Sequence, residues 1–219
     1  MYRKELTYYF STPIAYIVIG LYLLAISLFL WVIPGEWNII ESGYADANGL
    51  FTVSPWLLML LCPALTMRLF SEEKQSGMWD LLLSKRVSVA HMVWGKYMAA
   101  WTLTAVSILP CIVHYRVLYH IAEPIGNVDG GAFAGGMVGL VLLSSTFTAV
   151  GMLCASWNRN QIVSYLTGVV TCFALYWLTF QTHFRSLARG VIDVRDVFFF
   201  LSVTIACIWL TMIIVSRKK

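Results

Sequence analysis

The residues best placed to do chemistry lie in one polar stretch, Ser71-Glu72-Glu73-Lys74-Gln75-Ser76-Gly77-Met78-Trp79-Asp80-Leu81-Leu82-Leu83-Ser84-Lys85-Arg86. Charged groups come first. Met78-Trp79 and Leu81-Leu82-Leu83 then make an apolar patch around Asp80. Exposed apolar side chains flanked by charge mark a contact surface rather than a reaction centre. A short helix of this make-up suits docking into a soluble partner's groove. The alternative is an amphipathic helix lying on lipid.

Other chemistry finds no support in the spacing. Cys62, Cys111, Cys154, Cys172 and Cys207 all fall in apolar stretches, and none forms a CxxC or a loop framework. They read as small apolar packing residues. His91, His114, His120 and His183 lack zinc-type spacing and companion carboxylates, so no metal site is expected. An intramembrane serine protease needs Gly-x-Ser-Gly and a facing histidine, whereas Ser42-Gly43 and Ser76-Gly77 lack the leading glycine. The glycines of 130–136 are not followed by Lys-Ser/Thr, so the chain has no phosphate-binding P-loop and cannot be its own ATPase. No catalytic, cofactor-binding or nucleic-acid site is expected.

The elements that must position the polar stretch are apolar. Hydrophobic residues make up 59% of the 219 residues and charged ones 12%, about half the charged share of a soluble domain. Six stretches, 14–33, 51–70, 92–119, 135–156, 161–180 and 197–215, approach or exceed the ~20 residues a spanning helix needs. The expected fold is an all-α polytopic membrane protein forming a single transmembrane domain over 1–219. An interfacial helix over 1–13 precedes the first span, and the loop 71–91 separates the second span from the third. The basic start, Arg3-Lys4, followed by an apolar run resembles a signal peptide, but no small-residue cleavage site follows, so an uncleaved first helix is expected.

Charge sets the orientation. With the N-terminus inside, the inner face carries Arg3, Lys4, Arg68, Lys74, Lys85, Arg86, Lys96, Arg159, Arg217, Lys218 and Lys219. The outer face carries only Arg116, Arg185, Arg189 and Arg195. The positive-inside rule places both termini in the cytoplasm. Trp31, Trp37, Trp56, Trp94, Trp157 and Tyr119 fall near predicted span ends, where aromatic rings favour the headgroup layer.

Local signals add detail. In 1–13, Tyr2, Leu6, Tyr9 and Phe10 recur at helical spacing, while Arg3, Lys4, Glu5 and Thr7 face water and headgroups. Thr12 can cap the first span, with Pro13 in its first turn. Pro63 and Pro110 predict kinks, serving either as hinges or as ordinary bundle shape. Gly131, Gly135 and Gly139, four residues apart, predict a face of close helix packing. Phe184, Leu187, Ala188, Val191 and Ile192 predict a short amphipathic helix at the outer surface. On its other face, Arg189 and Asp193 have ion-pair spacing. Its arginines either pair with Asp193 and Asp196 or help gate something anionic. Asp and Glu fall essentially in loops, which argues against an ion-coupled carrier. Polar residues of the spans are few (Thr102, Thr104, Ser107, Ser144, Ser145, Thr146, Thr148, Asn160, Gln161), so a lipid-like, peptide or protein-linked cargo fits better than a hydrophilic solute.

Phe70-Ser71-Glu72-Glu73-Lys74, then Gly77, Leu81-Leu82-Leu83 and Gly95-Lys96 together resemble the ABC-2 permease pattern. Met78 stands where that family usually has Thr, Asp80 where it has Glu, and Val87 near its usual proline. Within the family the chain is similar to the gliding-motility-associated F permease. That resemblance is carried by Ser11-Thr12-Pro13-Ile14-Ala15-Tyr16, Pro55-Trp56, Pro63-Ala64-Leu65-Thr66-Met67-Arg68, Pro124-Ile125-Gly126-Asn127-Val128-Asp129, Asn160-Gln161-Ile162-Val163 and Gly190-Val191-Ile192-Asp193-Val194-Arg195-Asp196.

The resemblance implies a bacterial inner-membrane permease subunit that exports a substrate or transmits ATP-driven motion. ATP and Mg would be bound by a separate ABC ATP-binding subunit. A second permease is also implied, either another copy or a relative with a large outer domain. It further implies that Glu72, Glu73, Gly77, Trp79, Asp80 and Leu82 meet the ATPase, with Trp79 and Leu82 as apolar anchors. The alternative is a non-transporting scaffold that holds a partner complex in the membrane.

Overall fold

The computed structural model describes residues 1–43, 46–75 and 88–217. Among these residues the chain is entirely helices and turns, without strands. Six helical segments are long and apolar enough to cross a membrane: Ile14–Trp31, Asn48–Ser71, Val89–Ile121, Gly130–Trp157, Gln161–Ala188 and Val194–Arg217. In chain order we label α1 (Tyr2–Ser11), α2 (Ile14–Trp31), α3 (Ile39–Ser42), α4 (Asn48–Thr66), α5 (Arg68–Gln75), α6 (Val89–Ile108), α7 (Ile112–Ile121), α8 (Gly130–Trp157), α9 (Gln161–Leu175), α10 (Gln181–Ala188) and α11 (Val194–Arg217).

Helix α8 is the hub and packs against α4, α5, α6, α9, α10 and α11. Small residues make that possible. A β-carbon on Gly135 would lie 2.6 Å from the Leu187 carbonyl oxygen and 2.9 Å from Gly190 Cα. One on Gly139 would lie 3.1 Å from Leu187 Cβ. Gly131 lies in the same seam through its backbone, since a β-carbon on Gly190 would meet Gly131 C at 3.0 Å. Gly190 itself turns the chain with φ +82°, a conformation only glycine adopts cheaply. Asp129 caps α8 by accepting from the N–H groups of Gly131 (2.9 Å) and Ala132 (3.0 Å). Deeper in, Thr204 on α11 meets Thr146 (3.1 Å) and Ser145 (3.4 Å) across a buried seam.

Pro63 lies within unbroken helix, where glycines let neighbours close over it: a β-carbon on Gly168 would be 3.0 Å from Pro63 Cβ. Pro110 sits in a 3₁₀ turn, Leu109–Cys111, that divides the third span into α6 and α7. A π-helical turn, Tyr176–Phe180, joins α9 to α10.

Three local expectations change. Thr12 does not cap the first span; its hydroxyl donates back to the Tyr8 (2.7 Å) and Tyr9 (3.3 Å) carbonyls and closes α1. The residue before α2 is Pro13, which makes no side-chain cap. Helix α1 also does more than rest on a surface. Tyr9 is buried and donates to the Leu65 carbonyl at 3.1 Å, and Glu5 turns inward rather than toward headgroups. Finally, the amphipathic segment expected at the outer surface continues the fifth span and ends at Ala188. Because Gly190 turns the chain there, Arg189 and Asp193 never share a helix, and their expected i, i+4 pair does not form.

Candidate functional site

The polar stretch enters and leaves the described structure through two helix ends. Helix α5 leads in, carrying Glu72 and Glu73 in its backbone. Ser88 leads out and caps α6 by accepting from the His91 N–H at 3.3 Å. Gly77, Trp79, Asp80 and Leu82 lie outside the described residues.

Lys96 holds these two ends together, and Lys74 fastens the first of them to α8. Lys96, on α6, is 1% exposed. Its ammonium donates to the Leu69 carbonyl of α5 at 2.5 Å and lies 3.5 Å from the Glu5 carboxylate of α1. It also sits 5.2 Å above the Phe70 ring, within cation–π range. A buried ammonium is costly unless charge and hydrogen bonds compensate it. Here a carboxylate, a carbonyl and a ring face do so, and each comes from an element other than α6. The lysine therefore fastens α1 and α5 to the start of the third span.

Lys74, near the end of α5, donates to the carbonyls of Ser156 (2.5 Å) and Asn158 (3.4 Å) at the end of α8. The last carbonyls of a helix lack intrahelical partners and carry the negative end of its dipole, so a cation fits there. Between the lysines, the buried hydroxyls of Ser71 and Ser164 meet at 2.9 Å, tying α5 to the first turn of α9. The two ends of segment 76–87 are thus bound to α1, α8 and α9 by polar contacts. Beside this cluster, the Ser88 hydroxyl also lies 3.4 Å from His91 Nδ1, a contact within the cap of α6.

The sequence singled out Lys96 only as part of a Gly-Lys pair and treated it, like Lys74, as an inner-face charge. Ser71 stands in the sequence only as a member of the polar stretch and of the ABC-2 pattern, and Ser164 belongs to no motif. A small signal existed, since Glu5 is the acidic residue in the first turn of an otherwise basic helix start.

At the other end of the bundle, His183 Nδ1 lies 2.7 Å from Asp196 Oδ1, and the imidazole stacks on Phe199 at 4.2 Å. Asp196 is not a loop residue as its place between spans suggested. It sits in the first turn of α11 and is buried. Its second carboxylate oxygen finds no hydrogen-bond partner among the described residues. Asp193 instead accepts from the Arg195 N–H at 3.0 Å. Neither aspartate pairs with Arg185 or Arg189.

A family model described as ABC-2 family transporter protein matches residues 41–212, more than three quarters of the chain. No curated protein matches it.

Proposed function

This chain belongs to the ABC-2 transporter family as a non-catalytic, multi-pass membrane permease component whose ATPase is a separate subunit, and we propose that segment 71–86 is where that ATPase pushes. The observation that carries this reading is Lys96, buried and bound at once to α5 through Leu69 and to α1 through Glu5. A force applied to the segment passes through α5 into the third span and the N-terminal helix together, and through Lys74 into the end of α8. Glu72, Glu73 and Asp80 are the polar contacts to the ATPase, with Trp79 and Leu82 as apolar anchors and Gly77 admitting close approach. ATP and Mg stay with the ATPase.

The whole chain, 1–219, works as one transmembrane domain in this reading. Helix α1 and the first span, which lie before the matched segment, are included because α1 packs on α6 and α2 on α4 and α6. Both termini are cytoplasmic, as the lysine and arginine distribution supports, and the membrane is the bacterial inner membrane, as the family resemblance implies. A second permease completes the transporter. About two thirds of the second and fourth spans is buried within this chain, against 22% of the first and fifth, which leaves those two faces for a partner half or for lipid. The motifs quoted above support a gliding-motility-associated F-type subunit, which exports an apolar or lipid-like cargo or transmits force.

The test is ATP turnover by the co-purified ATPase with this permease in proteoliposomes. Glu73→Ala with Asp80→Ala should remove the permease's effect on vanadate-sensitive hydrolysis while membrane insertion stays normal. Unchanged stimulation would sink the assignment. Co-purification with no effect on hydrolysis would favour a scaffold.

A further inference from the structure

The fifth span carries a chemical gradient along one line. Phe173, Trp177, Gln181, Arg185 and Arg189 follow one another at every fourth residue, running from mid-membrane to the bundle end away from α1. In a regular α-helix such a line drifts about 40° per step, because each residue turns ~100°. The under-wound π turn at Tyr176–Phe180 interrupts that drift midway, and π turns are frequent at functional sites.

Two hollows lie along this line and share Thr52 and Trp56 of α4. The deeper one is an apolar groove of about 610 Å³ between α2, α4 and α9, with Trp37, Leu57, Leu60 and Phe173 among its walls. Trp56 stands at the junction, edge-on to Phe173 at 6.0 Å and Trp177 at 6.4 Å. Along α4 the groove runs from Thr52 to Leu60, roughly 12 Å at 1.5 Å per residue. That is less than half of a ~30 Å hydrocarbon core, the depth of one leaflet. The second hollow, about 360 Å³, opens above it and is lined by Asn48, Gln181, Arg185 and Arg189. Both arginines are exposed residues, and neither forms an ion pair among the described residues. Asp46, Glu123 and Asp129 line an adjoining cavity that Arg189 also borders, without forming an ion pair with it.

An apolar groove one leaflet deep, capped by two exposed arginines that form no ion pair among the described residues, matches an amphiphile with an anionic head. We propose that this is a binding site for an anionic phospholipid of the leaflet opposite α1, with its phosphate on Arg185 and Arg189 and an acyl chain in the groove beside Trp56. The site explains why arginines sit on the face where the positive-inside rule disfavours them. It is independent of how the ATPase couples.

Bromine on an acyl chain quenches tryptophan on contact. The full chain is reconstituted in phosphatidylcholine vesicles containing either brominated phosphatidylglycerol or brominated phosphatidylcholine. The part of the quenching lost in Trp56→Phe reports the groove. Each arginine near an anionic headgroup contributes about fivefold (about 1 kcal/mol), so Trp56 should favour phosphatidylglycerol by about tenfold or more. Arg185→Gln with Arg189→Gln should bring the ratio close to one, and Arg195→Gln should leave it unchanged. Equal quenching by both lipids in the wild type, or a preference that survives the double substitution, would overturn the proposal. So would loss of the preference on adding millimolar inorganic phosphate, which would assign the arginines to a free anion.

Discussion

Lys96 Nζ and the Glu5 carboxylate lie 3.5 Å apart in a site where the lysine side chain is 1% and the glutamate 13% exposed. They join the first helix of the chain to the third span. Removing one partner of a buried pair strands the other charge, at a cost of about 3–5 kcal/mol, whereas replacing both by apolar groups is often neutral. Glu5→Leu alone should therefore lower the melting temperature of the detergent-purified protein, and Lys96→Met alone should lower it more, because the Leu69 carbonyl also loses a donor. The double variant should recover much of the loss. Additive losses in the thermal-unfolding cycle would show that the two residues act separately.

Glycines on the two sides of the bundle should respond in opposite ways. Gly135→Ala places a methyl 2.6 Å from the Leu187 carbonyl, part of a backbone turn with no flexible end to move. Overpacking of this kind costs about 1–3 kcal/mol. Gly20 has nothing within 4 Å of its would-be β-carbon and sits inside α2, so alanine there should raise stability by up to ~1 kcal/mol through helix propensity. Thermal unfolding in one detergent compares both, and equal effects would remove the packing argument for Gly135.

The spans were legible because length and apolarity decide them almost alone: without water in the bilayer core, the backbone must satisfy itself as helix. The same rule hid the cluster beside the polar stretch. A lysine at a span mouth reads as a surface cation, and nothing in Gly95-Lys96 shows that Leu69, Phe70 and Glu5 converge on it. Asp196 was hidden similarly. Its sequence position between spans suggests solvent, while its burial depends on His183, thirteen residues earlier and across a turn made by Gly190. The seam at Gly135 and Gly139 was legible in spacing, but its partner was not: glycines four apart do not say whether a helix of the same chain or another chain fills the gap. Here Leu187 and Gly190 fill it. The expected pair of Arg189 with Asp193 failed because helical spacing means contact only while the helix continues.

Thr204 tests how much the hydroxyl seam between α8 and α11 contributes. Its hydroxyl meets those of Thr146 and Ser145 and also donates to its own helix at Phe200, 2.8 Å away. Inter-helix hydrogen bonds in membranes average only ~0.6 kcal/mol, because the local carbonyl remains an alternative partner. Thr204→Val keeps the branched shape, so it should cost about 0.5–1 kcal/mol, less than Gly135→Ala. A larger loss would show that Thr146, itself within 3.4 Å of the Phe200 carbonyl, depends on Thr204.

Ser71 and Ser164 allow the proposed movement of α5 to be stopped and restarted. Their hydroxyl oxygens are 2.9 Å apart in a buried contact between α5 and the start of α9, which brings the β-carbons close to the ~3.5–4.5 Å that a disulfide requires. Cys62, Cys111, Cys172 and Cys207 are buried and Cys154 is half-buried, so oxidant should act mainly at an introduced pair, with wild-type protein as the control. If α5 shifts against the fifth span when the ATPase pushes, Ser71→Cys with Ser164→Cys should keep basal behaviour when reduced. It should lose stimulated ATP turnover when oxidised and regain it on adding reductant. If the oxidised protein still stimulates, α5 and the first turn of α9 move as one body. The sliding surface would then lie at another contact of α5, the one where Lys74 holds the end of α8, and Lys74→Gln rather than the disulfide would be the change that lowers coupling.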